Sequence, residues 1–375
     1  MKLKKLDKIA LVLLTALILG TSSSAQTNAP NDYEQFLKTG KDQLKAGDYK
    51  AACDSFERAV HYNDSASDGH LGLGMAYFYL RKDANAEYEL NKVIELNSNS
   101  SEAHALLGEL YYRKDNFEKA AAHWEKAIEL NPSNDGLRAI LDRIKREHRI
   151  EKEFNREVTS HFLVKYEGNE KIEAGKIVLR ILEEAYGVVG RGLLYYPNQE
   201  IQVILYSNEQ FEEVTDAPGW TGGLFDGKIR IPIGGIEEET PGLRRILYHE
   251  YTHAVVHTIT QRVPTWLNEG LAQYFEGKEI NAHQKAMLHR VAQMGKLPPL
   301  FYLEGSFTGL DSNQARNAYL YSLSAVHYMI DTYGLHRATF VLEELGKGAD
   351  TCTAISNGTM RSYDDFQNGW KRSLE

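Results

Sequence analysis

His249-Glu250-Tyr251-Thr252-His253 sets two imidazoles four residues apart, with a carboxylate beside the first. On a helix, positions i and i+4 share a face, so both rings can reach one ion while Glu250 stands next to them. Thr240 suits an N-cap and Pro241 the first helical position, which predicts a helix within Thr240–Arg262. A catalytic zinc takes three protein ligands and keeps one position open. Solvent held at such an ion loses a proton near neutrality, and Glu250 is placed to take it.

The third ligand decides the chemistry. One zinc arrangement needs Gly three residues and His six residues after the second histidine; those positions here hold Val256 and Ile259, so it fails. A second short helix is predicted over Pro264–Glu276. It carries Glu269, sixteen residues after His253, far enough for one helix to end and another to return beside it. Two histidines and a glutamate form a known catalytic zinc set. Gly270 and Ala272 are expected to let these two helices pack closely. His257, one more turn along, reads as a partly buried structural histidine.

With H-E-x-x-H followed by Trp266-Leu267-Asn268-Glu269-Gly270-Leu271-Ala272, residues 157–375 resemble the gluzincin-type, peptidase MA-like domain. The resemblance implies an α+β zincin-like metallopeptidase with His249, His253 and Glu269 as zinc ligands and Glu250 as general base. A peptidase also needs a donor for the oxyanion of its tetrahedral intermediate. Asn317-Ala318-Tyr319-Leu320-Tyr321-Ser322 resembles the family's downstream Y-x-x-S helix, with Tyr319 at the tyrosine position. Tyr321 and Arg316 are the alternatives.

Trp220–Pro232 reads as two short strands around an Asp226-Gly227 turn. Pro232 cannot donate to a ladder, so its strand should be an edge or end there. In zinc peptidases of this type an edge strand above the metal pairs with extended substrate. Gly222 and Gly223 would let another backbone come close and are the substrate-binding candidates. The competing reading is a plain structural hairpin.

These groups need a scaffold. His161–Tyr166 and Glu200–Tyr206 read as strands around a helix over Glu170–Gly190, a β-α-β start to a mixed domain. An amphipathic helix follows over Tyr319–Tyr333, ending at Gly334, and the tail to Glu375 should add further helices around the site.

Ahead of residue 157 the pattern changes. Gly40, Gly74 and Gly108 are 34 apart, as are Ala52, Ala86 and Ala120, then Phe56, Leu90 and Trp124, then Ala59, Val93 and Ala127. Four ladders at one period resemble three tetratricopeptide repeats, all α-helical, within residues 31–134. Such an array needs an end cap. Leu137, Ile140, Leu141 and Ile144 recur at helical spacing, which assigns 135–156 to a capping and linking helix, Asp135–Phe154. The repeats imply a surface for a protein or peptide partner, or alternatively a spacer.

Lys2, Lys4, Lys5 and Lys8 precede the apolar run Ile9–Leu19 and the small residues Ser23-Ser24-Ala25, the pattern of a secretory signal over 1–25. Eleven apolar residues rise about 16 Å, short of the roughly 30 Å of a bilayer core, which argues against an anchor. No later segment is apolar enough to span, so the mature chain is expected to be exported, periplasmic or secreted. The net charge, −9 for the full chain and −12 without residues 1–25, lacks the positive field that nucleic-acid or anionic-membrane binding needs. Its two cysteines, Cys53 and Cys352, read as separate thiols. The combined expectation is an exported zinc endopeptidase whose repeats bind a protein partner or substrate. The alternatives are a non-catalytic scaffold with a metal-stabilised domain and a zinc hydrolase of non-protein bonds.

Overall fold

The computed structural model describes residues 32–168, 172–215, 222–233 and 238–375. The signal over 1–25 lies outside the described residues, as do Trp220 and Thr221 of the proposed hairpin. The chain divides into two units, one ending at Ile150 and one running from Glu151 to Glu375.

The N-terminal unit is a stack of helix pairs: α1 (Asp32–Ala46) with α2 (Tyr49–Tyr62), α3 (Ser67–Tyr79) with α4 (Asp83–Leu96), and α5 (Ser101–Arg113) with α6 (Phe117–Leu130). The sequence ladders are the packing rules of this stack. Each repeat glycine lies against the bulky residue of its own second helix. A β-carbon would stand 2.8 Å from the Phe56 ring at Gly40, 3.0 Å from Leu90 at Gly74 and 2.5 Å from the Trp124 ring at Gly108. Ala52, Ala86 and Ala120 are fully buried where the paired helices meet. Asp48, Ser100 and Asn116 cap helix starts with side-chain oxygens.

Helix α7 (Asp135–Glu151) follows, and its Leu137, Ile140, Leu141 and Ile144 join the repeat core. The Tyr112 hydroxyl donates to Glu147 of α7 at 2.8 Å. The helix stops at Glu151 rather than Phe154, and strand pairing begins at Asn155, ahead of residue 157. Four residues that pair with a neighbouring strand cannot continue a helix, and amphipathic spacing on one side of the junction carries no sign of that partner.

In the C-terminal unit the described residues form a five-stranded sheet of order β1-β2-β3-β5-β4. The strands are β1 (Asn155–Val158), β2 (Phe162–Tyr166), β3 (Ile201–Tyr206), β4 (Leu224–Phe225) and β5 (Ile229–Pro232). β2, β3 and β5 run parallel, and the two outer strands pair antiparallel. Helix α8 (Ile172–Leu193) makes the β-α-β crossover from β2 to β3, and a short helix, α9 (Asn208–Thr215), follows β3. Phe162, Val164, Val203, Leu205, Ile229 and Ile231 alternate onto one face and share a core with Ile181 and Leu182 of α8. The opposite face buries charge: Lys165 pairs with Glu151 at 3.3 Å, and Arg230 with Asp226 at 3.0 Å.

The remaining chain is helical: α10 (Pro241–Ile259), α11 (Thr265–Phe275), α12 (Ala282–Gln293), two 3-10 turns, then α13 (Ser312–Tyr333), α14 (Leu335–Gly346), α15 (Thr351–Thr359) and α16 (Tyr363–Ser373). Among the described residues no helix is long and apolar enough to cross a membrane. The two cysteines are unbridged, Cys53 buried and Cys352 exposed.

One packing expectation is overturned. Gly270 does not face α10. Its missing side chain makes room for α13, since a β-carbon there would lie 2.6 Å from the Ser322 carbonyl oxygen and 2.5 Å from Val326. Residues one apart on a helix point about 100° from each other, so Gly270 and Glu269 face different neighbours. Gly270→Ala should therefore push α11 from α13 and cost about 1–3 kcal/mol. Chemical denaturation of the full chain checks this; an unchanged midpoint would show that the two helices separate freely.

Candidate metal centre

Helix α10 begins with Thr240, whose hydroxyl accepts from the Leu243 amide, and with Pro241 at its first position. That start leaves His249, Glu250 and His253 in the middle of the helix, where backbone geometry is firmest. After Ile259 the chain turns, and α11 returns alongside α10 to bring Glu269 to the two histidines. His249, His253 and Glu269 each offer one donor atom, and the three atoms lie within 4.8 Å of one another.

The spacing is informative. The two Nε2 atoms are 3.1 Å apart, and each is 3.6 Å from Glu269 Oε2. Bonds of about 2.0–2.1 Å to a tetrahedral ion separate neighbouring donors by about 3.3 Å. The three donors would thus fit one face of such a tetrahedron.

Tautomers follow from the outer hydrogen bonds. His249 Nδ1 donates to Glu276 Oε2 at 2.8 Å, and His253 Nδ1 donates to Asn268 Oδ1 at 3.0 Å. Each ring therefore turns its Nε2 toward the other ring and Glu269, where that nitrogen can hold a proton or bind an ion. Two ring nitrogens and a carboxylate turned on one another call for a cation, a metal ion or protons that it would displace, and this convergence fits a metal to the site.

Charge in the cluster runs the same way. Burial works against a proton on His249, but hydrogen bonds to Glu269 and Glu276 overcome it and lift the pKa to about 10. Burial would raise Glu269, yet the charge of His253 and hydrogen bonds from both histidines hold it well below the usual carboxylate range. Glu250, 8% exposed, is pushed upward by burial, with His249 and His253 pulling the other way. A carboxylate raised in this manner is better suited to accept a proton.

The other residues singled out from sequence take varied places. Tyr319, on α13, packs edge-on against Phe307 at 5.4 Å between ring centres. Its hydroxyl is raised first by burial and then by the negative charges of Glu269 and Glu250, so it lies within their field. Tyr321 is raised by burial alone, and Arg316 is exposed. His257 packs on Phe225 of β4, 5.4 Å between ring centres.

Gly222 and Gly223 lead into β4, the last strand of the sheet, and Gly227 takes a φ of +104° in the turn to β5. The close approach they permit is to their own chain. A β-carbon on Gly223 would lie 2.8 Å from Glu250 Cγ, and one on Gly222 would lie 2.6 Å from Ile246 Cδ1. Pro232 is the last residue of β5, an inner strand, so it ends a ladder rather than edging the sheet.

Sequence reading missed Asn268 and Glu276 as the groups that orient the two rings. A signal was present: Asn268 adjoins Glu269, and Glu276 follows it by two helical turns. Glu276→Gln should keep the shape and remove the carboxylate charge, weakening metal affinity about 10–100-fold. Competition with a chromophoric zinc chelator measures it, and unchanged affinity would remove Glu276 from the site.

A family profile described as Peptidase MA superfamily matches residues 195–375, and two Tetratricopeptide repeat profiles match 37–101 and 101–134. No curated protein matches the chain. Among solved structures, the first TPR of Spaghetti (RPAP3) bound to the HSP90 peptide SRMEEVD is similar at 22% identity. That likeness covers 33% of this chain and 99% of that one, with a TM-score of 0.31. The first TPR domain of human RPAP3, solved by NMR, is similar at 24% identity over 32% of this chain and 96% of that one, also at 0.31.

Proposed function

For a chain that joins tetratricopeptide repeats to a Peptidase MA superfamily domain, we propose zinc-dependent endopeptidase activity, with the repeats engaging a protein partner or substrate. The observation that carries the proposal is the convergence of two Nε2 atoms and one carboxylate oxygen at tetrahedral spacing, with Glu250 on the same helix. His249, His253 and Glu269 would hold the zinc. When bound, it would supply the Lewis acidity that acidifies water and polarises a peptide carbonyl.

The chain's own residues do the rest. Asn268 and Glu276 keep both rings turned with Nε2 inward. Glu250 takes the proton of the attacking water and passes it to the leaving amine nitrogen. The Tyr319 hydroxyl donates to the oxygen that gains charge as the carbonyl carbon becomes tetrahedral. Among the described residues β4 is the outermost strand, beside α10, so an extended substrate would add to its outer edge, with Gly222 and Gly223 letting that strand lie close to Glu250. The basic, apolar and small-residue pattern of 1–25 supports export of the mature chain.

The test is hydrolysis of an unstructured protein such as casein by the purified mature chain. We expect cleavage that a chelator stops and added zinc restores. A zinc-loaded chain that leaves peptide bonds intact, yet retains partners through its repeats, would overturn the proposal in favour of a scaffold.

A further inference from the structure

Between α11 and α13 lies a buried amide that no step above uses. Gln273 is one turn past Glu269 and 1% exposed. Its Nε2 donates to two main-chain carbonyls, that of Glu269 at 3.2 Å and that of Tyr319 at 2.9 Å. Its Oε1 is buried and meets no hydrogen-bond partner among the described residues. An unsatisfied buried acceptor costs about 1–3 kcal/mol, and a Met or Leu would fill the same space without it.

Both carbonyls lie inside continuous helices and keep their own helical amide donors, so satisfying them does not require Gln273. What the amide adds is a directional tie. Elsewhere the helices meet at Gly270 against the Ser322 carbonyl and Val326, a contact that excludes side chains but supplies no side-chain hydrogen bond. The two main-chain points that Gln273 joins belong to the proposed carboxylate ligand, Glu269, and to Tyr319, the proposed oxyanion donor.

We infer that Gln273 is a positioning residue that sets the slide and rotation of α13 on α11, and so holds the Tyr319 hydroxyl at its working distance from the metal centre. The inference rests on the reading of Tyr319 as the donor to the developing oxyanion. A misplacement of about 1 Å in such a group costs on the order of 100-fold in rate.

The experiment compares the zinc-loaded full chain with Gln273→Met, Tyr319→Phe and the double variant, by steady-state kinetics and by crystal structures. Gln273→Met should keep one zinc per chain and KM within twofold, while kcat falls about tenfold or more. In the Tyr319→Phe background the same change should cost less than twofold, since both act through one hydroxyl. Gln273→Glu, which keeps the shape but cannot donate to both carbonyls, serves if the Met variant does not fold and should show the same loss. A Tyr319 hydroxyl that has not moved in the variant crystal, or full additivity in the cycle, overturns the inference. Full activity in Tyr319→Phe alone would instead overturn the oxyanion reading, and the displacement would still be judged in the crystal.

Discussion

Glu250→Gln is expected to leave the fold and the zinc content unchanged and to lower kcat about 10²–10⁴-fold, the range that positioned proton transfer contributes. Glu250 is outside the ligand set: the three converging donor atoms belong to His249, His253 and Glu269. An amide of the same shape fits the same space beside Gly223 and cannot accept the proton. Burial raises the carboxyl above its ordinary range, against the pull of the two histidines, so the site favours a proton arriving there. Turnover of a fluorogenic peptide, with zinc measured on the same sample by atomic emission, checks the expectation. A variant with one zinc per chain and wild-type turnover would leave Glu250 without a chemical role.

The second large effect is loss of the ion itself. Glu269→Ala removes one donor of three and also the partner 3.6 Å from both rings. Zinc affinity should fall by more than the roughly 10–100-fold that an orienting residue costs, and peptidase activity should fall with it. Stability reports the same event independently. An ion at about 1,000 times its dissociation constant contributes on the order of 4 kcal/mol to the folded state. Wild-type chain should therefore gain in Tm as zinc is added, and Glu269→Ala should melt at one temperature with or without the metal. Zinc-dependent melting in the variant would mean that the ion is held elsewhere.

Some of this protein was determined within short stretches of sequence. His249 and His253 share a helix face, with Glu250 beside it, because the α-helix repeats every 3.6 residues, whatever packs on it. The repeat ladders were equally legible, since each glycine meets a bulky residue of its own repeat and the stack needs only neighbours. The Asp226-Gly227 turn and the crossover from β2 to β3 belong to the same local class.

Tertiary structure alone decided the rest. That Asn268 and Glu276 turn the rings, that Gly270 admits α13 rather than α10, that Gly223 lies on Glu250, and that Gln273 ties Glu269 to Tyr319 all depend on which helix lies across the gap. Strand β1 likewise exists through its pairing with β2. Periodicity shows that a face will be buried, whereas the identity of its neighbour is settled by contacts between residues far apart in the chain.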